Sequence, residues 1–142
     1  MTTTPSEQPI VVGVDGSPHS SVALAWAIDE ARTHGAALHV IHGFVVPRTI
    51  VDTMDHGLFP ELAETAQKEL DGVLEKAPST EGIDVEAEII AGHAAHILVE
   101  ASRSASLLVV GRRGHEGFDG LMLGSVASQC VHHAHCPVVV VH

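Results

Sequence analysis

The sequence predicts an α/β protein in which helices cover both faces of an open parallel sheet. Short β-branched runs alternate with segments of helical periodicity along the chain, which is the order expected of βαβ units. Two runs, Leu107–Gly111 and Pro137–Val141, are apolar without interruption, and this indicates strands covered on both sides. A chain of 142 residues, 45% of them hydrophobic, is long enough for one domain with a substantial core.

The first strand and helix have clear local signals. Pro9–Asp15 is a β-branched run that ends in an Asp-Gly turn. Ser17 is a suitable N-cap, Pro18 suits the first helical position, and Gly35 offers a left-handed stop. The mostly apolar face predicted for this helix consists of Val22, Ala23, Trp26, Ala27, Glu30 and Ala31.

The remaining elements follow in alternation. We predict strands at Ala37–Val45 and at Ile83–Ile90, the latter an edge strand because its polar and apolar residues alternate. Pro60–Ala77 carries an apolar stripe of period 3.6 and is predicted to be a helix between them. His93–Arg103 and Gly124–Ala134 are predicted helices on either side of the strand Leu107–Gly111. Residues 1–8 are expected to be a disordered tail, and residues 9–142 a single domain.

Composition excludes several classes of function. The formal charge of −11 disfavours nucleic acid and anionic membranes as partners, because both attract basic surfaces. The sequence contains no uncharged apolar stretch of ~18 residues, so a membrane-spanning helix is not expected. The start "MTTTPSEQ" lacks the pattern of a signal peptide, so we expect a cytoplasmic protein. Two cysteines are too few for a disulfide framework.

The stretch "VVGRRGHEGFDGLMLGS" (Val109–Ser125) follows the fourth predicted strand and contains five glycines. Open α/β sheets bind ligands beyond the carboxyl ends of their strands, and a helix that starts at Gly124-Ser125 would favour an anion there. Arg112 and Arg113 add positive charge. The loop matches neither the P-loop nor the G-x-G-x-x-G pattern. Composition alone supports a plain glycine turn and an anion site equally.

The spacing Gly111-x2-Gly114-x9-Gly124-Ser125 resembles the ATP-binding signature of the universal stress protein family, G-x2-G-x9-G-[S/T]. "VVGVDGSPHSSVALAWA" and "HHAHCPVVVV" are similar to that family's first strand and helix and to its closing helix–strand junction. The resemblance extends from about Ile10 to the end of the chain. It implies a five-stranded parallel sheet of order 3-2-1-4-5, in which the ends of strands 1 and 4 are adjacent.

The resemblance also implies a nucleotide site. In family members that bind ATP, the residue matching Asp15 lies beside the nucleotide and the backbone matching Val40 contacts adenine. The glycine loop and the residue matching Ser125 hold the ribose and phosphates. The complete implied site consists of Val14, Asp15, Val40, Val110, Gly111, Arg113, Gly114, Gly124, Ser125 and Val126. From the residues alone, Asp15 is more simply a turn residue and Val40 an ordinary core residue.

This chain departs from the family pattern inside the loop. Arg112 occupies a position at which family members often have a small residue, directly before the basic residue of the loop. His115, Glu116 and Asp119 place titratable groups in the loop. The two carboxylates would either repel phosphate or help to hold Mg²⁺, and the sequence does not decide between these.

A second candidate site is "CVHHAHC" (Cys130–Cys136), whose cysteines and histidines are zinc ligands. Closed zinc sites usually take ligand pairs from two separated segments, and no second cysteine pair exists here. The family commonly has a histidine-rich helix end at this junction. We therefore assign no metal ligands.

The function expected from the sequence is a regulatory stress protein that holds ATP, with or without Mg²⁺, and has no efficient turnover. No nucleophile–base pair is recognisable, so at most a slow ATPase is expected. Cyclic AMP is the alternative ligand, and a nucleotide-free interaction protein is the alternative function. The apolar edge formed by Val138, Val139, Val140 and Val141 predicts a homodimer through the last strand, as in the family.

Overall fold

A computed structural model describes residues 8–47, 58–113 and 122–142. Five parallel strands form one sheet of order β3-β2-β1-β4-β5, which confirms the predicted architecture. The strands are β1 (Ile10–Gly13), β2 (Leu38–Phe44), β3 (Val85–Ala91), β4 (Leu107–Gly111) and β5 (Val138–Val141). The helices are α1 (Pro18–His34), α2 (Leu58–Lys76), α3 (Ala94–Ala101) and α4 (Ser125–His133), and a 3₁₀ turn spans Ser102–Ser104.

The sheet separates two hydrophobic clusters. Helices α1 and α2 pack on one face, where Val12, Val40 and Val109 are fully buried. Helices α3 and α4 pack on the other, against Val11, Ile41 and Leu108. This division follows from the alternation of side chains along a strand, which sends successive residues to opposite faces.

Helix α1 begins and ends where the sequence signals place it. The Ser17 Oγ accepts a hydrogen bond from the Ser20 N–H at 3.2 Å, and Gly35 ends the helix at φ 63°. The predicted apolar face wrongly includes Val22, which is 47% exposed, and omits Leu24 and Ile28, which are buried. Apolar residues occupy most of this helix's circumference, so the spacing alone does not identify the side that meets the sheet.

The two edge strands differ from the buried pattern. β3 is an edge strand, as its alternation predicts. β5 lies at the opposite edge, as the implied order 3-2-1-4-5 predicts, and its four residues are only partly buried in this chain, although the apolar run indicated a strand covered on both faces. An uninterrupted apolar run therefore does not by itself show that both faces of a strand are covered. Of the predicted tail at residues 1–8, residues 1–7 lie outside the described residues.

No helix in the described ranges is long and apolar enough to cross a membrane.

Candidate functional site

A cavity of about 260 Å³ opens where strands β1, β2 and β4 end, on the face covered by α3 and α4. In this sheet the connection from β1 runs to β2 on one side, while β4 lies on the other, so the cavity occupies the point where the strand order reverses. Its lining consists of Gly13, Val14, Asp15, Ser20, Ile41, Gly43, Ala94, Ile97, Leu98, Val110, Gly111, Arg113, Gly124, Val126 and Ala127.

Asp15 forms one polar wall of the cavity and also builds the turn after β1. Its Oδ1 accepts a hydrogen bond from the Ser17 N–H at 2.9 Å, and its own N–H donates to the Ser20 Oγ at 3.2 Å. These bonds fix the entry to α1 in the manner of an Asx turn. Asp15 is therefore both a turn residue and a residue of the cavity lining.

Arg113 is the second ionisable residue of the described lining. This residue is only 7% exposed and lies two residues after β4. A guanidinium stays charged at any physiological pH and presents five donors, so its burial beside an open cavity favours an anionic ligand.

The start of α4 closes the same end. Gly124 is its N-cap residue and contributes no side-chain cap, and the first turn of a helix leaves N–H groups without intrahelical acceptors. The Arg112 backbone ties this start to the sheet, because its N–H donates to the Val141 carbonyl and its carbonyl accepts from the Gly124 N–H, both at 2.9 Å. The buried Nε of Arg112 has no hydrogen-bond partner within the described ranges.

Gly111 is required by helix packing as well as by the loop. A Cβ at this position would lie 2.7 Å from the backbone carbon and oxygen of His19 in α1. No backbone atom of a helix gives way by the distance needed, so a side chain here forces α1 away from β4. Glycine at the first position of the signature thus brings α1 against the cavity.

The implied site residues fall into four groups. Val14, Asp15, Val110, Gly111, Arg113, Gly124 and Val126 line the cavity. Ser125 is the first residue of α4, exposed and beside the lining. The Val40 side chain is fully buried in the cluster beneath α1 and α2, on the opposite face. Gly114 lies outside the described residues, as do His115, Glu116, Gly117, Asp119 and Gly120.

Sequence reasoning included Val40 of β2 but missed the β2 residues of the lining and all of those from α3. Ile41 and Gly43 bring β2 into the lining, and Ala94, Ile97 and Leu98 bring α3. Gly43 was the available signal, since a glycine inside a strand often marks a close approach. A Cβ on Gly43 would lie 3.3 Å from the Ala94 backbone.

A broader depression lies on the other side of Asp15, between α1 and α2. It includes His42, Lys68 and Lys76 and shares Asp15 and Gly43 with the cavity. His42 is buried, with Nδ1 2.9 Å from the Val14 carbonyl and Nε2 2.8 Å from the Glu69 Oε2. These contacts tie β2 to the end of β1 and to α2, which stiffens the common wall.

The cysteine–histidine segment lies at the end of helix α4, as the sequence predicts. Burial, with a smaller contribution from Cys136, raises the pKa of the Cys130 thiol to about 11, and burial also raises the pKa of Cys136. Zinc binds the thiolate, so these shifts disfavour a zinc site at this junction.

The family model described as "Universal stress protein family" matches residues 7–142. The chain belongs to the universal stress protein family. It is 36% identical over 138 residues to a universal stress protein of Mycobacterium tuberculosis, an alignment that covers 96% of this chain and 46% of that one. A universal stress protein of Mycolicibacterium smegmatis is 33% identical, with 96% and 49% covered. The chain thus spans about half the length of the curated relatives it matches.

Solved structures share the fold. A universal stress protein crystallised in complex with cAMP is 27% identical, with a TM-score of 0.74 and coverage of 95% of this chain and 97% of that one. The universal stress protein UspA from Lactobacillus plantarum has the same TM-score and coverage at 22% identity, which supports the fold alone.

Proposed function

We propose that this protein binds ATP in the cavity at the ends of β1, β2 and β4 and acts as a nucleotide-dependent regulator in the stress response. The observation that carries the proposal is the buried Arg113 guanidinium, which lines an otherwise largely apolar cavity in a molecule of net charge −11. In so acidic a molecule, a buried cation at a cavity wall supplies positive charge where an anionic ligand would bind.

The apolar part of the cavity suits the nucleobase. Ile41 and Ile97 face it from β2 and α3, and Val126 faces it from α4. The cavity of about 260 Å³ is near the lower end of the usual range of ~300–1,000 Å³ for ligand pockets. We therefore assign it the base and part of the ribose, with the phosphates directed outward.

The phosphates would lie between Arg113 and the start of α4. The guanidinium supplies charge-assisted hydrogen bonds, and the helix start supplies N–H groups and a favourable dipole. Gly114, Gly124 and Ser125 are assigned to this part from the family signature. The backbone contact of Val40 with adenine stays a prediction.

Slow turnover is part of the proposal. The ionisable side chains among the described lining residues are Asp15 and Arg113, and the Asp15 Oδ1 already accepts the Ser17 N–H. Phosphoryl transfer to water needs a group that positions the attacking water. We expect ATP to be retained rather than consumed, whether or not Mg²⁺ is present.

Cyclic AMP is the second candidate ligand, because the 27% identical universal stress protein was crystallised with cAMP. It would use the same apolar cavity but present a single phosphate to Arg113. Calorimetric titration with ATP, AMP and cyclic AMP separates the candidates, since ATP should bind most tightly if all three phosphates are held. Absence of binding by all three would overturn both and favour an interaction protein that needs no nucleotide.

Arg113→Gln tests the site directly. Loss of a charged hydrogen-bond partner costs about 1.5–3 kcal/mol, so the Kd for ATP should rise roughly 10- to 150-fold. The matched control is Arg103→Gln, because Arg103 is exposed and its Nε lies 3.3 Å from the Glu100 Oε2 on the surface of the protein. Gly124→Val should also abolish binding without unfolding the protein, since φ −64° and ψ 165° suit any residue. Equal affinity in Arg113→Gln and the control contradicts the proposal.

We also propose a homodimer that pairs β5 across a two-fold axis and a cytoplasmic location. Pro137 and Val141 direct their carbonyls to β4, so the alternation of the parallel ladder turns the N–H groups of Val138 and Val140 outward. Val140→Pro should convert a dimer into a monomer in light scattering. Ala87→Pro, at an outward position of β3, is the control that should leave the dimer intact.

A further inference from the structure

A histidine and two glutamates lie together on one face of the sheet, on strands β2 and β3. Glu86 and Glu88 are two residues apart on β3 and therefore point to the same face. His39 is the register partner of Glu86 on β2. One potential ligand atom from each residue lies within 4.8 Å of the others.

The three side chains are held by the backbone of the β2–β3 ladder. That ladder is continuous over seven register pairs, from Leu38 with Val85 to Phe44 with Ala91. The His39 side chain is 20% exposed and its Nε2 lies 2.9 Å from the Glu88 Oε1. The His39 imidazole is thus mostly buried, and its Nε2 lies next to the Glu88 carboxylate. The opposite side of the cluster is open to solvent.

We propose that His39, Glu86 and Glu88 bind a divalent transition-metal ion, with zinc as the reference ion. One imidazole nitrogen and two carboxylate oxygens make three ligands, and the open side leaves a fourth position for water. The imidazole favours zinc and other divalent first-row transition metals over magnesium and calcium, which prefer oxygen ligands alone. The site differs from the nucleotide cavity in its residues and in its ligand.

The geometry needs little adjustment. At zinc–ligand distances of ~2.0–2.1 Å, two ligand atoms in a tetrahedral site are roughly 3.4 Å apart. The Nε2–Oε1 separation of 2.9 Å must therefore open slightly, while the atoms up to 4.8 Å apart must close. Rotations of the two exposed glutamate side chains provide both changes without moving the strands.

The competing explanation is an ion pair between a protonated His39 and Glu88, with no metal. Calorimetric titration of the untagged full chain with zinc chloride distinguishes the two. The wild-type protein should bind one zinc ion that millimolar Mg²⁺ does not displace. His39→Gln and Glu88→Gln should each weaken that binding by at least the roughly 10- to 100-fold seen when an outer-shell partner is lost.

The matched control is His34→Gln. His34 also has its Nε2 2.9 Å from a glutamate, Glu30, but this pair on α1 belongs to no three-ligand group among the described residues. Its removal should leave the zinc affinity unchanged. All titrations are made in a Cys136→Ser background as well, to separate binding by the partly exposed thiol.

NMR supplies a second readout. Zinc should shift the His39 ring resonances at one equivalent, before those of the other histidines. The proposal is overturned if wild-type protein binds no zinc, if His39→Gln binds as tightly as wild type, or if His34→Gln loses as much affinity as His39→Gln. Far-UV circular dichroism confirms that each variant retains the fold.

Discussion

The two faces of the sheet are built from similar residues but differ at the strand ends, where a broad depression lies between α1 and α2 and a more enclosed apolar cavity lies beneath α3 and α4. Beneath α1 and α2, Val12, Val40 and Val109 are fully buried in a closed apolar cluster. Beneath α3 and α4, the apolar cluster stops short of the strand ends and leaves the cavity lined by Asp15 and Arg113. We infer that the first face mainly supplies stability and that the second supplies binding.

The largest effect is expected in the closed face. Leu24→Ala removes a fully buried side chain from α1 and should lower the free energy of unfolding by about 2–5 kcal/mol. Urea denaturation measures this loss, while nucleotide affinity in the folded protein should change little. Val22→Ala is the control on the same helix and should stay within about 0.5 kcal/mol, because Val22 is largely exposed. Equal losses would show that the two faces of α1 are misassigned.

On the open face, Cys130 links stability to alkaline pH. Its pKa of about 11 in the folded chain lies above the ordinary value of 9.0, so the unfolded chain loses the thiol proton first as the pH rises. The stabilisation is complete below pH 9 and is lost as the pH approaches 11, by about 2–3 kcal/mol. Urea denaturation from pH 8.5 to 11 should show this fall. Cys130→Val should show a shallower fall, and parallel curves for the two proteins would contradict the assignment.

Gly111→Ala tests a residue that belongs to both faces. The new Cβ would meet the His19 backbone, so α1 must shift and the free energy of unfolding should fall by about 1–3 kcal/mol. Nucleotide affinity should fall as well, because Gly111 also lines the cavity. Gly72→Ala is the control, since its Cβ meets nothing within 4 Å in α2 and should stabilise by roughly 0.5–1 kcal/mol. Unchanged nucleotide affinity in Gly111→Ala would separate the helix contact from the site.

The same two faces explain which parts of the structure the sequence predicts. Ser17 and Gly35 carry local signals, so the limits of α1 were correctly predicted. Val40 and Ile41 are adjacent apolar residues with no local difference, yet alternation sends one to each face. Only Ile41 reaches the cavity. Ala94 and Ile97 reach it through packing between distant segments, which periodicity does not encode.

Several residues implied by the family resemblance line the cavity for a physical reason. Asp15 and Arg113 lie two residues after β1 and β4, Gly111 is the last residue of β4, and Gly124 lies directly before α4. Strand ends and helix starts are recognisable in a sequence, and the sheet order then brings them together. The His39, Glu86 and Glu88 group was not found because it depends on the β2–β3 register.

The smallest effect is expected at Ser17, which connects the closed face to the cavity. Ser17→Ala removes the N-cap of α1 and should lower the free energy of unfolding by about 1 kcal/mol. Ser21→Ala is the control, because the Ser21 hydroxyl only bonds back to the Ser17 carbonyl at 3.3 Å and substitution should be nearly neutral. The Ser17 Oγ accepts the Ser20 N–H in this cap, and the Ser20 Oγ in turn accepts the N–H of Asp15 in the cavity wall. We therefore expect calorimetry to show a modest fall in nucleotide affinity in Ser17→Ala but not in Ser21→Ala. That result would show that the rim of the binding site depends on the cap of a helix on the opposite face. Unchanged affinity in Ser17→Ala would show instead that the Asp15 turn holds the wall without the cap.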